Sequence, residues 1–402
     1  MGVIGGIFLI AVLYMITQPI LKKFKRKTPG FSIKLMNNLY WYHTLFAIIY
    51  YLYALATRSD SFGYYRRAEF GYSNWFQAFE SGTHFIDFIA YPFVNYLFFS
   101  YEMMMLLSAY LGYLGFVYFY MLFKENIKFK HTIKGYDLIN ILLFLPNMHF
   151  WTGSLGKGSI IFYGLAVCIY ALNKMNKRKA LLGFGSFVVY FVRPHVFLFM
   201  GIGIVVGVLT GREKMPILHK MLIIGASVVA LILLKDQILA FAQLDGDNFL
   251  ESFDQFQAHR SFELAKAGSG LDTSNYSLPL KLFTFWYRPL FIDSPNLMGL
   301  IISFENILYL YLTYKLFQKG FFKFLKNSDT VVKMSLIIFF LASFALSGTL
   351  SNLGIIIRQK SMVMYFFLFV ILAFLDYKKA EKVAKQQKIL QRRLAMAAAQ
   401  PA

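Results

Sequence analysis

The stretch 181–210, LLGFGSFVVYFVRPHVFLFMGIGIVVGVLT, decides the fold, because its two apolar runs are separated only by Arg193-Pro194-His195. The runs predict helices at 180–193 and 196–211, each shorter than the roughly 20 residues that cross a bilayer. A proline flanked by two ionisable side chains indicates a tight hairpin tip between them. Apolar runs recur along the whole chain, and this pattern predicts a bundle of membrane helices.

Composition supports a membrane protein. Hydrophobic residues make up 58% of the chain, charged residues only 15%, and the mean hydropathy is +0.53. Soluble domains carry about 25% charged residues. The net charge of +21 lies in short basic clusters between apolar runs, as in proteins that orient themselves against anionic lipid. No soluble basic face remains for phosphate contacts, so the sequence argues against nucleic acid as a partner.

The predicted fold class is all-α, a polytopic transmembrane bundle of about eleven helices with two short hairpins and two long outer loops. The membrane-embedded domain covers 1–376, its outer loops cover 57–95 and 236–294, and a basic cytoplasmic tail covers 377–402. Amphipathic helices are expected within both outer loops. The predicted helices are 2–20, 38–56, 96–123, 137–149, 158–173, 180–193, 196–211, 217–235, 295–316, 331–347 and 361–376.

Orientation follows from the basic clusters, each of which comes after an odd-numbered helix. Loops rich in lysine and arginine stay in the cytoplasm. The sequence therefore predicts a multi-pass protein of the bacterial cytoplasmic membrane with its N-terminus outside and its C-terminus inside. The clusters are Lys22–Lys34, Lys124–Lys134, Lys174–Lys179, Arg212–Lys220, Lys319–Lys326 and Lys378–Arg393.

Four consecutive predicted helices, from 137–149 to 196–211, are too short to cross a bilayer. They form two hairpins whose outer tips, 146–157 and 193–195, would lie below the membrane surface. Irregular backbone at that depth is tolerated only when it is buried in protein or lines a wet cavity. The two hairpins therefore predict a cavity open to the outside.

Ionisable residues on the outer side, against the orientation rule, are the candidate site. Arginine binds phosphate oxygens in a bidentate manner, so a cationic cavity in a membrane suits a lipid phosphate or diphosphate. A nearby carboxylate is suited to draw a proton from a sugar hydroxyl, while arginines stabilise the departing charge. The candidate catalytic residues are Asp60, Arg193 and Arg358, and the candidate substrate-binding residues are Arg66, Arg67, His149, Lys157, His195 and Arg288.

Each candidate also has a structural interpretation. Arg66 and Arg67 are also consistent with loop charges on lipid phosphate, Asp60 with a helix cap and Arg358 with an interface anchor. Glu305 lies inside the ninth predicted helix, where a carboxylate needs a partner.

The sequence contains no metal-ligand motif, Walker loop, dinucleotide-binding fingerprint or nucleophile elbow. The single cysteine, Cys168, lies in an apolar run and is expected to pack there. No cofactor and no metal are therefore expected, although a divalent cation held by carboxylates stays open without being indicated.

The candidate segments resemble polytopic enzymes that build bacterial surface glycans from polyprenyl-linked sugars. Asp60 after a helix, then Tyr64-Tyr65 and Glu80–Phe85, look like the GT-C class of glycosyltransferases, a resemblance that implies Asp60 as the catalytic base. The segments Leu145–Lys157, Arg193–His195 and Asn352–Arg358 look like O-antigen or exopolysaccharide repeat-unit polymerases. That second resemblance implies that Arg193, Arg288 and Arg358 contact the lipid diphosphate.

The leading hypothesis is a glycan polymerase or glycosyltransferase acting at the outer face on a lipid-linked sugar, with the polymerase slightly favoured. One alternative is a transporter or flippase of lipid-linked oligosaccharide. Another is a non-enzymatic subunit of an envelope-assembly or secretion complex. The expected partners are the lipid-linked sugar substrate and membrane lipids, and partners in envelope-glycan assembly remain open.

Overall fold

A computed structural model describes residues 2–57, 59–212, 276–294, 296–349 and 352–398, with isolated positions between 216 and 271. Within these residues the protein is almost wholly helical, and the predicted all-α class is confirmed. A small antiparallel hairpin, β1 (Thr132–Ile133) with β2 (Tyr136–Asp137), links two helices. Only separate positions of the predicted helix 217–235 are described, and most of the predicted outer loop 236–294 lies outside the described residues.

The helices follow one another with short connections, several of which contain a single 3₁₀ turn. We number them in chain order over the described residues. They are α1 (Gly2–Lys27), α2 (Ile33–Ala56), α3 (Asp60–Phe70), α4 (Thr83–Asn95), α5 (Tyr101–Asn126), α6 (Leu138–Leu143), α7 (Pro146–Thr152), α8 (Lys157–Leu172), α9 (Lys179–Val192), α10 (Pro194–Thr210), α11 (Leu278–Tyr287), α12 (Leu297–Tyr314), α13 (Phe321–Lys326), α14 (Thr330–Thr349) and α15 (Leu353–Ala398).

Several helices have the length and apolarity of membrane spans. Four qualify among the described residues, and a fifth qualifies if Leu353–Lys360 and Met362–Met396, which meet at a bend of 52°, count as one span. Shorter apolar helices lie between them in the chain, including α8, α9 and α10. The four are Gly2–Lys27, Tyr101–Asn126, Leu297–Phe317 and Thr330–Gly348. These helices are those of a membrane protein, and the predicted number of about eleven spans stays a prediction.

The short hairpins are present as short helices. Helices α8, α9 and α10 begin and end within two residues of the predicted 158–173, 180–193 and 196–211. The predicted helix 137–149 is wrong in one respect, because it is broken into α6 and α7. Pro146 lacks the N–H that would continue α6 and starts α7 instead, where that N–H is not needed.

The core is centred on α5, which packs against α1, α2, α7 and α8. Its buried rings Phe116 and Phe119 contact Phe162 of α8 and Tyr365 of α15, with ring centroids 4.8–5.7 Å apart. Gly115 makes this approach feasible, because a Cβ there would lie 2.7 Å from the Phe162 ring. The same aromatic layer therefore joins the N-terminal and C-terminal helices.

Loops from distant parts of the chain meet at the end of the bundle where α5 finishes, which we call the basic end. The buried Glu125 of α5 pairs with Arg178 and with Lys174, the latter at 3.0 Å. Asp376 of α15 accepts a hydrogen bond from the Phe129 amide at 2.7 Å. Further contacts at this end join Lys379 to Lys130, Lys378 to Lys319, and Arg212 to Ser328.

The opposite end, which we call the Asp60 end, is formed where α2 finishes and α5 begins. The Ser61 and Tyr101 hydroxyl groups are 2.7 Å apart, and Tyr51 donates a hydrogen bond to Glu102. The basic loops that the sequence places on one membrane side are therefore gathered at one end of the bundle. Which end faces the cytoplasm stays a prediction.

Candidate functional site

Asp60 begins α3 at the Asp60 end. The side chain of Ser59 caps this helix by accepting a hydrogen bond from the Ser61 amide at 3.3 Å. Asp60 itself is not the cap, and its side chain is 68% exposed. One of its carboxylate oxygens lies 3.4 Å from Nη1 of Arg358, so residues about 300 positions apart in the chain form an ion pair.

Arg358 lies on α15, in the segment before the bend. Its guanidinium carbon is 5.7 Å from the centre of the Trp151 ring, a cation–π distance. The indole N–H of Trp151 is buried and has no acceptor among the described residues. A buried donor beside a cation favours an oxygen-rich anionic ligand, because such a ligand satisfies both groups.

Lys157 is the first residue of α8, at the predicted hairpin tip. It is close enough to Arg193 and Arg358 to be repelled by both charges, and Asp60 attracts it. No side chain caps the first turn of α8. The free amides of a helix N-terminus, together with the helix dipole, favour a negative charge at this position.

Gly158 allows the α7–α8 tip to close. A Cβ at this position would lie 2.5 Å from the carbonyl oxygen of Trp151. At Gly156 a Cβ would lie 3.4 Å from the ring of Tyr64, so the tip also packs against α3. The glycines therefore bring Trp151, Lys157 and α3 together.

Arg193 connects α9 and α10 at the second predicted tip. Its amide donates to the Val189 carbonyl at 2.9 Å and ends α9, while its carbonyl accepts from Val196 and starts α10. Pro194 occupies the first position of α10, where a proline is tolerated. The partly buried Arg193 side chain interacts electrostatically with Tyr64 and Lys157.

Tyr64, which the sequence did not single out for a role, is the common neighbour of these groups. Burial raises its pKa, and Asp60 raises it further, while Arg358, Arg193 and Arg67 act in the opposite direction. We call Asp60, Tyr64, Lys157, Arg193 and Arg358 the Tyr64 cluster. It contains three cations and one carboxylate, and this excess of positive charge favours an anionic ligand.

Arg66 and Arg67 are separated by the structure although they are adjacent in the sequence. Arg67 binds the fully buried Asp87 of α4 through Nε at 2.8 Å and Nη2 at 3.3 Å. Burial opposes the charge of Arg67, but the bond with Asp87 outweighs it and raises the pKa. Arg66 is exposed, with its guanidinium carbon 5.3 Å and 5.5 Å from the rings of Phe62 and Phe70.

His149 lies in the core and is fully buried. Its Nδ1 is 2.8 Å from Nδ1 of His43, and its Nε2 is 2.7 Å from the Leu143 carbonyl oxygen. The ring stacks on Phe116 with centroids 4.1 Å apart. The structure therefore places this predicted substrate-binding residue in helix packing.

His195 and Arg288 make contacts with residues outside the Tyr64 cluster. The His195 ring lies 6.2 Å from Phe199, one turn further along α10. The Arg288 side chain pairs with Asp293 and donates to the Tyr276 hydroxyl at 3.3 Å. Burial opposes the charge of Arg288, whereas these bonds raise its pKa above the usual range.

Lys360 is a buried cation that the sequence did not single out as a candidate. Its ammonium group donates to the carbonyls of Trp286 and Arg288 at 3.3 Å and 3.0 Å, and to Oδ1 of Asn306 at 2.6 Å. Glu305 has the partners that the sequence required, because it accepts from the Asn147 amide and the Tyr309 hydroxyl. For Lys360, the signal in the sequence was a single lysine two residues after Arg358 and directly before an apolar run.

Among the described residues, no three His, Cys, Asp or Glu side chains form a metal-binding group. A cavity of about 10 Å³ lies between α1, α2 and α5, and its lining includes Tyr40, His43 and Tyr110 but none of the Tyr64 cluster. The predicted outer cavity stays a prediction.

Comparison with known proteins assigns no family to the chain, so a function has to be argued from the geometry of the site. No protein-family model, no curated protein and no solved structure matches the chain.

Proposed function

We propose that the chain is an integral membrane glycan polymerase or glycosyltransferase that transfers sugars from a polyprenyl-(di)phosphate-linked donor at the outer face of the bacterial cytoplasmic membrane. In this proposal about eleven spans, including segments beyond the described residues, hold the N-terminus outside and the C-terminus inside. The single supporting observation is that Lys157, Arg193 and Arg358, from three remote segments, meet around Tyr64 and Asp60.

The chemistry of the cluster suits a diphosphate better than a neutral sugar. Two guanidinium groups and an ammonium group provide charge-assisted donors, which bind phosphate oxygens about twice as strongly as neutral donors do. The uncapped first turn of α8 adds amide donors beside Lys157. In this proposal the donors, at the tips of short helices, lie at the level of the lipid head group, while the polyprenyl chain stays among the lipid tails.

In the proposed reaction the cluster stabilises the leaving group. The acceptor hydroxyl oxygen forms a bond to the anomeric carbon of the donor, and the bond from that carbon to the phosphate oxygen breaks. The electron pair leaves with the polyprenyl diphosphate, whose growing charge is stabilised by Lys157, Arg193 and Arg358. Removing one preorganised hydrogen-bond donor aimed at developing charge typically costs about 2.7–4 kcal/mol, roughly 10²–10³ in rate.

Asp60 stays in the proposal as the carboxylate of the cluster. Its ion pair with Arg358 orients that guanidinium group, and this contact engages one of the two carboxylate oxygens. We therefore expect Asp60→Asn to reduce transfer without abolishing it. Complete loss of transfer in this variant would instead assign the proton to Asp60, as the resemblance to GT-C enzymes implies.

The test is glycan chain length in a deletion strain of the source bacterium complemented with variants. Arg193→Ala and Arg358→Ala should abolish chain extension, while the adjacent-surface control Arg66→Ala should leave it normal. Immunoblots of the membrane fraction must show equal amounts of all three proteins. Normal glycan length in both cluster variants would contradict the proposal.

A flippase of lipid-linked oligosaccharide is the second candidate, and the 52° bend between Lys360 and Met362 favours it. Broken helices near the bilayer midplane are typical of transporters. Proteoliposomes separate the two candidates. A flippase moves a fluorescent polyprenyl-diphosphate sugar between leaflets without lengthening its glycan, whereas the proposed transferase lengthens it without moving it.

A further inference from the structure

A second group of polar side chains lies in the segment 57–95, around the buried carboxylate of Asp87 on α4. Besides Arg67, Asp87 accepts a hydrogen bond from the Tyr72 hydroxyl at 2.8 Å. The same hydroxyl is 2.7 Å from Nδ1 of His84. Asp87, Tyr72 and His84 therefore form a continuous chain that ends on an imidazole.

The position of each proton in this series of hydrogen bonds follows from which groups can donate and which can accept. Burial and the bond to Asp87 raise the pKa of Tyr72, so the hydroxyl keeps its single proton. A carboxylate only accepts, so that proton lies between Tyr72 and Asp87. The Tyr72 oxygen must then accept from His84, which places a proton on Nδ1. In the neutral imidazole, Nε2 is consequently the nitrogen that accepts a further proton.

This Nε2 atom lies on an accessible part of the molecule. The His84 side chain is 43% exposed, and its Nε2 is 3.9 Å from a carboxylate oxygen of Glu80. The charged groups facing the imidazole are Glu80 and Asp87, with Arg67 behind Asp87. An exposed base with a fixed tautomer is the arrangement found in histidines that act on a substrate proton.

The hydrogen-bonded side chains of Asp87, Tyr72 and His84 also lie next to the Tyr64 cluster. The Gly82 amide, two residues before His84, donates to the carbonyl of Phe191 at 2.6 Å, two residues before Arg193. A Cβ on Gly82 would lie 3.9 Å from Nζ of Lys157. Arg67, which holds Asp87, has its guanidinium carbon 5.2 Å from the centre of the Tyr64 ring.

We infer that His84 is the catalytic acid–base residue of this site and that Tyr72 and Asp87 are its positioning residues. The inference rests on the proposed function. The acceptor hydroxyl gives its proton to Nε2 of His84 as its oxygen bonds to the anomeric carbon, and the diphosphate leaves with the electron pair of the broken bond. Asp60 is left to orient Arg358.

The experiment uses membrane fragments from the deletion strain carrying each variant, because these supply their own lipid-linked sugar. His84→Ala should reduce the rate of chain extension about 10²-fold or more, as expected for loss of a general base. Added imidazole should restore part of that rate, because the vacated position is open to solvent. His131→Asn, which removes a histidine paired with Asp376 at the basic end, is the matched control and should extend normally.

Tyr72→Phe tests the positioning role separately. It keeps the ring and the bond between Arg67 and Asp87 but removes the hydroxyl that fixes the imidazole. We expect the maximal rate to fall about 10-fold, while the lipid concentration at half-maximal rate stays unchanged.

The outcomes are distinct. Loss with imidazole rescue in His84→Ala supports the inference, whereas normal extension, or loss that imidazole does not restore, overturns it. If Arg193→Ala and Arg358→Ala abolish extension while His84→Ala extends normally, only the inference about His84 fails. If none of these variants changes extension, the proposed function fails with it.

Discussion

Arg66 and Arg67 show how far single residues are predictable from this sequence. Both are candidate substrate-binding residues by position, and only the tertiary fold separates them. Arg67 meets Asp87, which lies 20 residues away on another helix and is fully buried, while Arg66 points to solvent between two phenylalanines. Long-range pairing of this kind leaves no signal in the local pattern.

The pair provides a stability prediction. Arg67→Met leaves the Asp87 carboxylate buried without its cation, and leaving a buried polar group unpaired costs about 1–3 kcal/mol, more for a charge. Because Arg67 is partly exposed, we expect the lower part of that range and a reduced midpoint of thermal unfolding in detergent. Arg66→Met is the control and should unfold at the wild-type temperature. Equal midpoints for the two variants would show that the ion pair is not stabilising.

Part of the candidate site could be predicted from the sequence. Asp60, Lys157, Arg193 and Arg358 stand out because they are charged residues at hairpin tips or helix ends on one predicted side, and the structure brings these four together. His149 stands out for the same reason but is fully buried against His43. Tyr64 and His84 lie in segments that resemble GT-C enzymes, but neither was assigned a role, because aromatic side chains in an outer loop are usual at a membrane interface.

At the scale of elements, the lengths of the apolar runs predict the short helices, and Pro146 marks a break between two of them. The short helices α8, α9 and α10 follow directly from runs too short for a bilayer. The break before Pro146 can also be predicted from the sequence, since the residue before a proline avoids the helical backbone conformation. The 52° bend after Lys360 could not be predicted from the local pattern, because no proline lies in the segment 353–376. Close to the bend, the Lys360 ammonium group donates to the carbonyls of Trp286 and Arg288.

The tip between α7 and α8 provides a prediction for this scale. Gly158→Ala places a methyl group 2.5 Å from the Trp151 carbonyl oxygen, so the tip must open and Lys157 must move. We expect lower thermal stability and weaker binding of farnesyl diphosphate to the purified protein.

Gly183→Ala on α9 is the matched control, because a Cβ there meets nothing within 4 Å. Alanine is favoured over glycine in a helix by about 1 kcal/mol, so this variant should be as stable as the wild type or more stable. Wild-type stability and binding in Gly158→Ala would contradict the close packing of the tip.

At the scale of the whole molecule, the parity of the basic clusters predicted that remote loops share one side. Contacts such as Lys379 with Lys130 and Arg212 with Ser328 gather those loops at the basic end. The charge pattern carries this information because the lysines and arginines of the loops set their orientation, whichever helices later pack together. The identity of neighbouring helices depends on side-chain shape and was not predictable from the same pattern.

Orientation is testable by labelling. In a Cys168→Ser background, a cysteine at the exposed Phe76 should react with a membrane-impermeant maleimide on intact spheroplasts. A cysteine at the exposed Tyr136 should react only after permeabilisation, because it lies at the basic end. Labelling of Tyr136→Cys on intact spheroplasts would contradict the predicted orientation.

The central claim is that the Tyr64 cluster binds the diphosphate of an isoprenoid lipid, and direct calorimetric titration tests it. Purified protein is titrated with farnesyl diphosphate and, as the uncharged comparison, with farnesol. The account predicts that the wild type and Arg66→Ala prefer the diphosphate, and that the double variant Arg193→Ala/Arg358→Ala loses about 10-fold or more of that affinity, since hydrogen bonds to charged groups contribute about 1.5–3 kcal/mol. Equal affinity for the two lipids in the wild type, or unchanged diphosphate binding in the double variant, would contradict it.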